Sequence, residues 1–262
     1  MELGDTDTMS INYIDSYIVG KEIVDAQAIF NPNAFLGIVR PDVMACSEHL
    51  AVFYYSKRII LNEDRGINNF YLQIKGNKAF SGFKPSKSKN LRVYYQDITY
   101  LAGLHSLLLS VKSFLDVYTK VMIKSVDPKS PTFGFKKGTF KGNKISGGNF
   151  LKWLKNSVST STLDKDKLIR YIEQQSHGWI TEIVDWRDVI AHKGLLRGLD
   201  YMSIELNCPI SKVKKSDINL PKMPNGTDIV SFCNELDNNL KDFIHNTLIL
   251  LPNINMKLIS FK

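Results

Sequence analysis

The chain has 262 residues, of which 44% are hydrophobic and 23% charged, and it carries a formal net charge of +8. Those proportions speak against a chain disordered throughout, because there is enough apolar surface for one large core or two smaller ones. The positive balance favours a polyanionic partner and says nothing by itself about fold.

The opening stretch "MELGDTDTMS" is acidic and polar, without the basic start and apolar centre of a secretory signal. Apolar runs such as "LLLSV" at 107–111 and "LILLP" at 248–252 fall well short of the roughly 20 residues that span a bilayer. A cytoplasmic protein with no membrane partner is expected. Cys46, Cys208 and Cys233 are far apart and form no Cys-x-x-Cys pair, which suggests buried thiols and neither a disulfide framework nor a zinc site.

Along the chain, 8–30 and 42–61 read as helices, the second because Cys46, Leu50, Phe53, Ile60 and Leu61 recur at roughly helical spacing. Residues 62–92 read as irregular or as a short hairpin, from the alternation and Gly-Asn turn in "NNFYLQIKGNKAFSGF". A long helix is predicted from Asp97, a suitable N-cap, with Leu101, Leu104, Leu108, Val111, Leu115, Tyr118 and Met122 along one stripe. A loop over 126–147 and a short helix over 148–158 follow. A second long helix is predicted from Asp164 to about Ala191, with Gly194 placed to end it. Then come an extended piece, "LDYMSIEL", a polar connection with Pro209, Pro221 and Pro224, and a last helix over about 227–250. Strands and helices do not alternate, so a parallel nucleotide-binding sheet is not expected.

Two stretches concentrate positive charge. Lys75, Lys78, Lys84, Lys87, Lys89 and Arg92 occur with no acid among them. Lys124, Lys129, Lys136, Lys137, Lys141, Lys144, Lys152 and Lys155 occur with Asp127 alone. Both read as basic loops, which either solvate the surface or track a phosphate backbone. Nucleotide motifs are absent: "GFKKGTFKGNKISGG" never forms Gly-x4-Gly-Lys-Ser/Thr, and there is no His-Glu-x-x-His and no Gly-x-Ser-x-Gly. Neither a metal nor a cofactor is expected.

On a wheel of the helix from Asp164, Leu168, Ile172, Trp179, Ile183, Trp186 and Ile190 form the core side. Arg170, His177, Asp188 and His192 fall roughly opposite, with Arg187 on the flank beside Ile180 and Val184. The segment "RDVIAH", Arg187 to His192, resembles the HEPN domain family, marked by Arg, four to six residues and His, often with a polar residue directly after the arginine. Here Asp188 takes that place. Arg170 and His177 form a second match, but Tyr171 follows that arginine, and a surface pairing is its plainer account. As a helix-end pair, Arg187 and His192 would instead cap free carbonyls.

The resemblance covers about 90–255 and implies a mainly α fold, a HEPN-like antiparallel helical bundle over 90–262 with short extended segments; residues 1–75 have no counterpart in it, and residues 1–89 are expected to add N-terminal helices and a basic loop packed on the bundle. It also implies a homodimer with two Arg/His sets facing one cleft, and a metal-independent endoribonuclease of toxin or defence type. Its catalytic residues would be Arg187, His192 and Asp188, with Lys193, Lys136, Lys137, Lys141 and Lys144 binding RNA. An antitoxin or a nucleotidyltransferase would be its protein partner. Some members carry a tyrosine two positions after the histidine that is adenylylated; this chain has Gly194 there. A non-catalytic module that binds nucleotides, RNA or protein, and a helical interaction protein with incidental basic loops, are the alternatives.

Overall fold

A computed structural model describes residues 40–61, 63–81, 91–127, 129–157, 163–193 and 201–259. In chain order these form α1 (Arg40–Leu61), α2 (Glu63–Gly76), α3 (Lys78–Ser81), β1 (Leu91–Tyr95), α4 (Ile98–Val126), β2 (Lys137–Phe140) and β3 (Asn143–Ser146). There follow α5 (Gly148–Ser157), α6 (Leu163–His177), α7 (Trp179–Lys193), β4 (Met202–Leu206) and α8 (Ile229–Ile259). The protein is mainly helical. The helix expected over 8–30 and the helix stop expected at Gly194 lie outside the described residues.

The described chain divides into two compact units that interleave along the sequence, where the sequence pattern suggested a single cut after residue 89. One unit contains the described residues up to Tyr55, Leu107–Asp188 and those from Leu236; the other contains Ser56–Ser106 and Val189–Glu235.

The first unit holds α1 as far as Tyr55, α4 from Leu107, the segment Lys137–Ser146, α5, α6, α7 as far as Asp188 and α8 from Leu236. By length and composition α4 would suffice to cross a membrane, but Leu107, Leu108, Val111, Leu115, Tyr118, Val121 and Met122 are all fully buried within the protein. The start of α4 belongs to the second unit, where Asp97 caps it, its carboxylate accepting the Tyr100 N–H at 3.0 Å. Phe243 of α8 is the aromatic centre: its ring lies 6.1 or 6.2 Å from those of Tyr118, Phe135, Tyr171 and Trp179. Beside it the Tyr118 hydroxyl bonds Thr247 Oγ1 at 2.7 Å, and burial pushes that phenol well above its ordinary range.

Two expectations change in this unit. The basic loop at 126–147 contains a hairpin, β2 pairing with β3 in antiparallel register from Lys137↔Ser146 to Phe140↔Asn143. Its turn places Lys141 at φ 49° and Gly142 at φ 83°, the left-handed pair that a two-residue type I′ connection requires. The helix expected from Asp164 to Ala191 is interrupted at Gly178, whose N–H is shared between the carbonyls of Gln174 and Gln175 at 3.2 Å each. Glycine is a poor helix residue, and α7 restarts at once, with the Trp179 indole N–H donating to Gln175 Oε1 at 2.8 Å. A single wheel therefore does not carry from Arg170 to His192.

In the second unit α2 replaces the irregular segment or hairpin expected over 62–92. Ile67, Phe70, Tyr71 and Ile74 recur three and four apart, and Phe70 and Ile74 are buried against Met202, Ile204 and Leu206 of β4. β4 pairs with β1 from Leu91↔Leu206 to Tyr95↔Met202, so the extended piece finds its partner in a strand the sequence pattern did not suggest. Phe70 stacks on Tyr95 at 5.0 Å. The Lys75 ammonium bonds the carbonyls of Ile210 and Ser211 at 2.5 and 3.1 Å.

Candidate functional site

The "RDVIAH" segment lies within the one helix α7, so helix geometry fixes its spacing. Ile180, Ile183, Val184, Trp186 and Ile190 are buried, a wider apolar side than the wheel assigned, since Ile180 and Val184 belong to it. Arg187 stands at its margin, its side chain 28% exposed, and Asp188 beside it is 43% exposed; Arg187 Nη1 donates to Asp188 Oδ1 at 2.8 Å. His192 is exposed. One turn separates Asp188 from His192, a rise of about 6 Å on nearly the same side. Arg187 and His192 are separated by about 7.5 Å of rise and some 140° of rotation. Lys193 is the last helical residue, and its side chain lies outside the described residues.

Arg170 and His177 are both exposed on α6, His177 as its final residue. The break at Gly178 separates that pair from α7.

Beneath Arg187 and Asp188, in the first unit, lies a charged pair that the helical stripe of α4 concealed. Lys112 is 2% exposed in the middle of this apolar helix, and its ammonium bonds Asp116 Oδ1 at 2.5 Å. The same oxygen accepts the Phe135 N–H at 2.6 Å. A β-carbon at Gly134 would approach it to 2.7 Å, so this carboxylate fixes the strand of chain that leads into the hairpin. Burial pushes the Lys112 ammonium below its ordinary value; Asp116 opposes that, Arg187 adds to it and Asp188 opposes it. Burial also lowers the His49 imidazole, against the fields of Glu48 and Asp116. The sequence signal for this network is a lysine and an aspartate four apart in "LLLSVKSFLDV", the only charges in that stretch.

The four hairpin lysines divide into two kinds. Lys137 is ion-paired with Asp185 of α7, and Lys141 with Glu173 of α6 at 2.7 Å. Lys136 and Lys144 are exposed and, among the described residues, form no ion pair. The pairings bring the hairpin to the α6 and α7 segments that flank the motif, while spending two of the four charges on acids. Cys46 and Cys233 are buried, but Cys208 is only partly so. Among the described residues no three His, Cys, Asp or Glu side chains are grouped to hold a metal ion.

Searched against family models, curated proteins and solved structures, the chain matches none of them.

Proposed function

We propose that the protein is a HEPN-type endoribonuclease that cleaves RNA without a metal, with Arg187, Asp188 and His192 as its catalytic set. The observation that carries this reading is the Arg187–Asp188 pair on α7 with His192 exposed one turn further on. An imidazole in its neutral form takes the proton of a ribose 2′-hydroxyl. The 2′-oxygen then bonds the adjacent phosphorus as the bond to the 5′-oxygen breaks. An imidazolium returns a proton to that leaving oxygen, giving a 2′,3′-cyclic phosphate and a 5′-hydroxyl. Arg187, always charged and able to hold two phosphate oxygens, stabilises the charge that develops on the phosphoryl group. Asp188 orients its guanidinium. Because each chain supplies one such histidine, base and acid come from two copies in a homodimer.

Lys136 and Lys144 are the phosphate contacts this reading retains from the hairpin, since Lys137 and Lys141 already face acids. The test is incubation of purified protein with labelled RNA in EDTA, beside His192→Ala. Cleavage by the parent protein that the variant lacks supports the reading; absence of cleavage of every RNA offered overturns it. The engagement of Arg187 by Asp188 favours one second reading, a non-catalytic module. In that case both Arg187→Ala and His192→Ala lower RNA or nucleotide affinity in a protein that never cleaves.

A further inference from the structure

The outer face of the β1–β4 sheet, within the second unit, carries a group of side chains that the core does not use. Side chains alternate along a strand, so Leu91, Val93 and Tyr95 join the core with Phe70 and Ile74, and Arg92 and Tyr94 stand on the other side. The register sets Arg92 opposite Glu205 and Tyr94 opposite Ser203. Tyr201, immediately before β4, places its ring 6.2 Å from that of Tyr94 at 78°. Both rings are open to solvent, Tyr94 at 58% and Tyr201 at 44% exposure. Arg92, its side chain 59% exposed, interacts with the Tyr94 hydroxyl and faces Glu205 at 3.6 Å.

We propose that this face binds single-stranded RNA, with Tyr94 and Tyr201 stacking unpaired bases and Arg92 contacting the adjoining phosphate. Every base offers a π-face, so exposed aromatic rings on a sheet hold single strands with little regard to sequence. The two rings lie nearly perpendicular, so each would take a base of its own. Arg92 is always charged. Its pairing with Glu205 is solvent-exposed and therefore weak, so a phosphate oxygen exchanges with that carboxylate at small cost. The described face carries Arg92 beside Glu205, and the sequence that leads into β1 has Lys84, Lys87 and Lys89 and no acid. An apolar protein partner fits less well, because the rings share the face with Arg92, Ser203 and Glu205.

This inference needs neither Arg187 nor His192, so it stands or fails separately from the proposed cleavage. The probe is a fluorescently labelled octamer of 2′-O-methyluridine, which has no free 2′-hydroxyl to attack, compared by anisotropy with a duplex of equal length. The parent protein should bind the octamer more tightly than the duplex. Tyr94→Ala and Tyr201→Ala should each weaken octamer binding about fivefold or more. Tyr94→Phe, which keeps the ring, should bind within twofold of the parent, and Arg92→Gln should weaken binding and lower its salt dependence. The proposal is overturned if the parent protein does not bind the octamer, or if the double tyrosine-to-alanine variant binds it as the parent does. Unchanged octamer binding together with a change in the protein's own sedimentation would assign the face to protein contacts instead.

Discussion

Lys112 is the residue whose position is hardest to explain by fold alone, since burying an ammonium is costly unless its charge is met. Asp116 meets it, and also holds the Phe135 N–H. Asp116→Ala should therefore destabilise the protein more than Lys112→Met, because it strands both a buried ammonium and a backbone donor. Lys112→Met should cost about 1.5–3 kcal/mol, the usual range for a charged hydrogen bond, and urea unfolding of the two variants tests the order. His49 contributes a pH dependence with a definite sign. Burial lowers its imidazole below the ordinary value, so the unfolded chain binds that proton more tightly than the native one. Its contribution to stability is complete above pH 6.5 and is lost as pH falls through the folded value. His49→Gln should make the urea midpoint less sensitive to pH below about 6.5; an identical pH profile would show that the imidazole is not desolvated. At the motif, His192→Ala should abolish cleavage and leave RNA affinity within a few-fold. Arg187→Ala should harm both, the loss of binding being roughly 1.5–3 kcal/mol. Arg170→Ala and His177→Ala should leave turnover nearly unchanged. Abolition of turnover by His177→Ala, with His192→Ala silent, would move the site to α6.

The hairpin β2–β3 makes a prediction at the scale of an element, because its lysines are not equivalent. Lys136→Gln with Lys144→Gln should flatten the dependence of RNA affinity on salt by up to roughly 0.7 per lysine on a log–log plot. Lys137→Gln with Lys141→Gln should flatten it less, since Asp185 and Glu173 already balance those charges. Equal slopes for the two pairs would return all four lysines to plain solvation. Elements differed in how far their sequences disclosed them. α4 was legible from its stripe and from Asp97, because a long apolar periodicity and an N-cap act within one helix. The hairpin was not, since "FKGN" became a turn only through positive φ at Lys141, a residue that rarely adopts it. α2 is not legible in sequence, because Phe70 and Tyr71 serve a β-like alternation as readily as a helical stripe. The packing of Phe70 and Ile74 against β4 settles the choice, and that contact is distant in sequence. Gly178 stood in plain view, yet a glycine within a periodic pattern is often tolerated in a helix, so the pattern alone did not show that α6 and α7 are separate.

For the whole molecule, the proposed chemistry requires two histidines and each chain supplies one His192, so an active protein should be a homodimer with its two-fold axis near the 187–192 segments. Light scattering that shows a fully active monomer at micromolar concentration would remove that requirement. The motif residues were legible as a spacing, while the lysine and aspartate beneath them were not, because nothing along α4 reveals which helix lies over Lys112. The interleaved units were equally hidden, since a cut in sequence cannot show that Leu107–Asp188 closes with residues from Leu236 onward. That closure has a consequence in time. Phe243 is the ring on which Tyr118, Phe135, Tyr171 and Trp179 converge, and Tyr118 meets Ile244 across 126 residues of chain. While the protein is being synthesised, the earlier aromatics wait without their central partner until α8 emerges. Contacts so remote along the chain make folding slow, and they leave partly made cores exposed to aggregation. The growing chain should therefore hold α7 in a first unit that has not settled, so that any activity of that helix begins only after translation has passed Phe243.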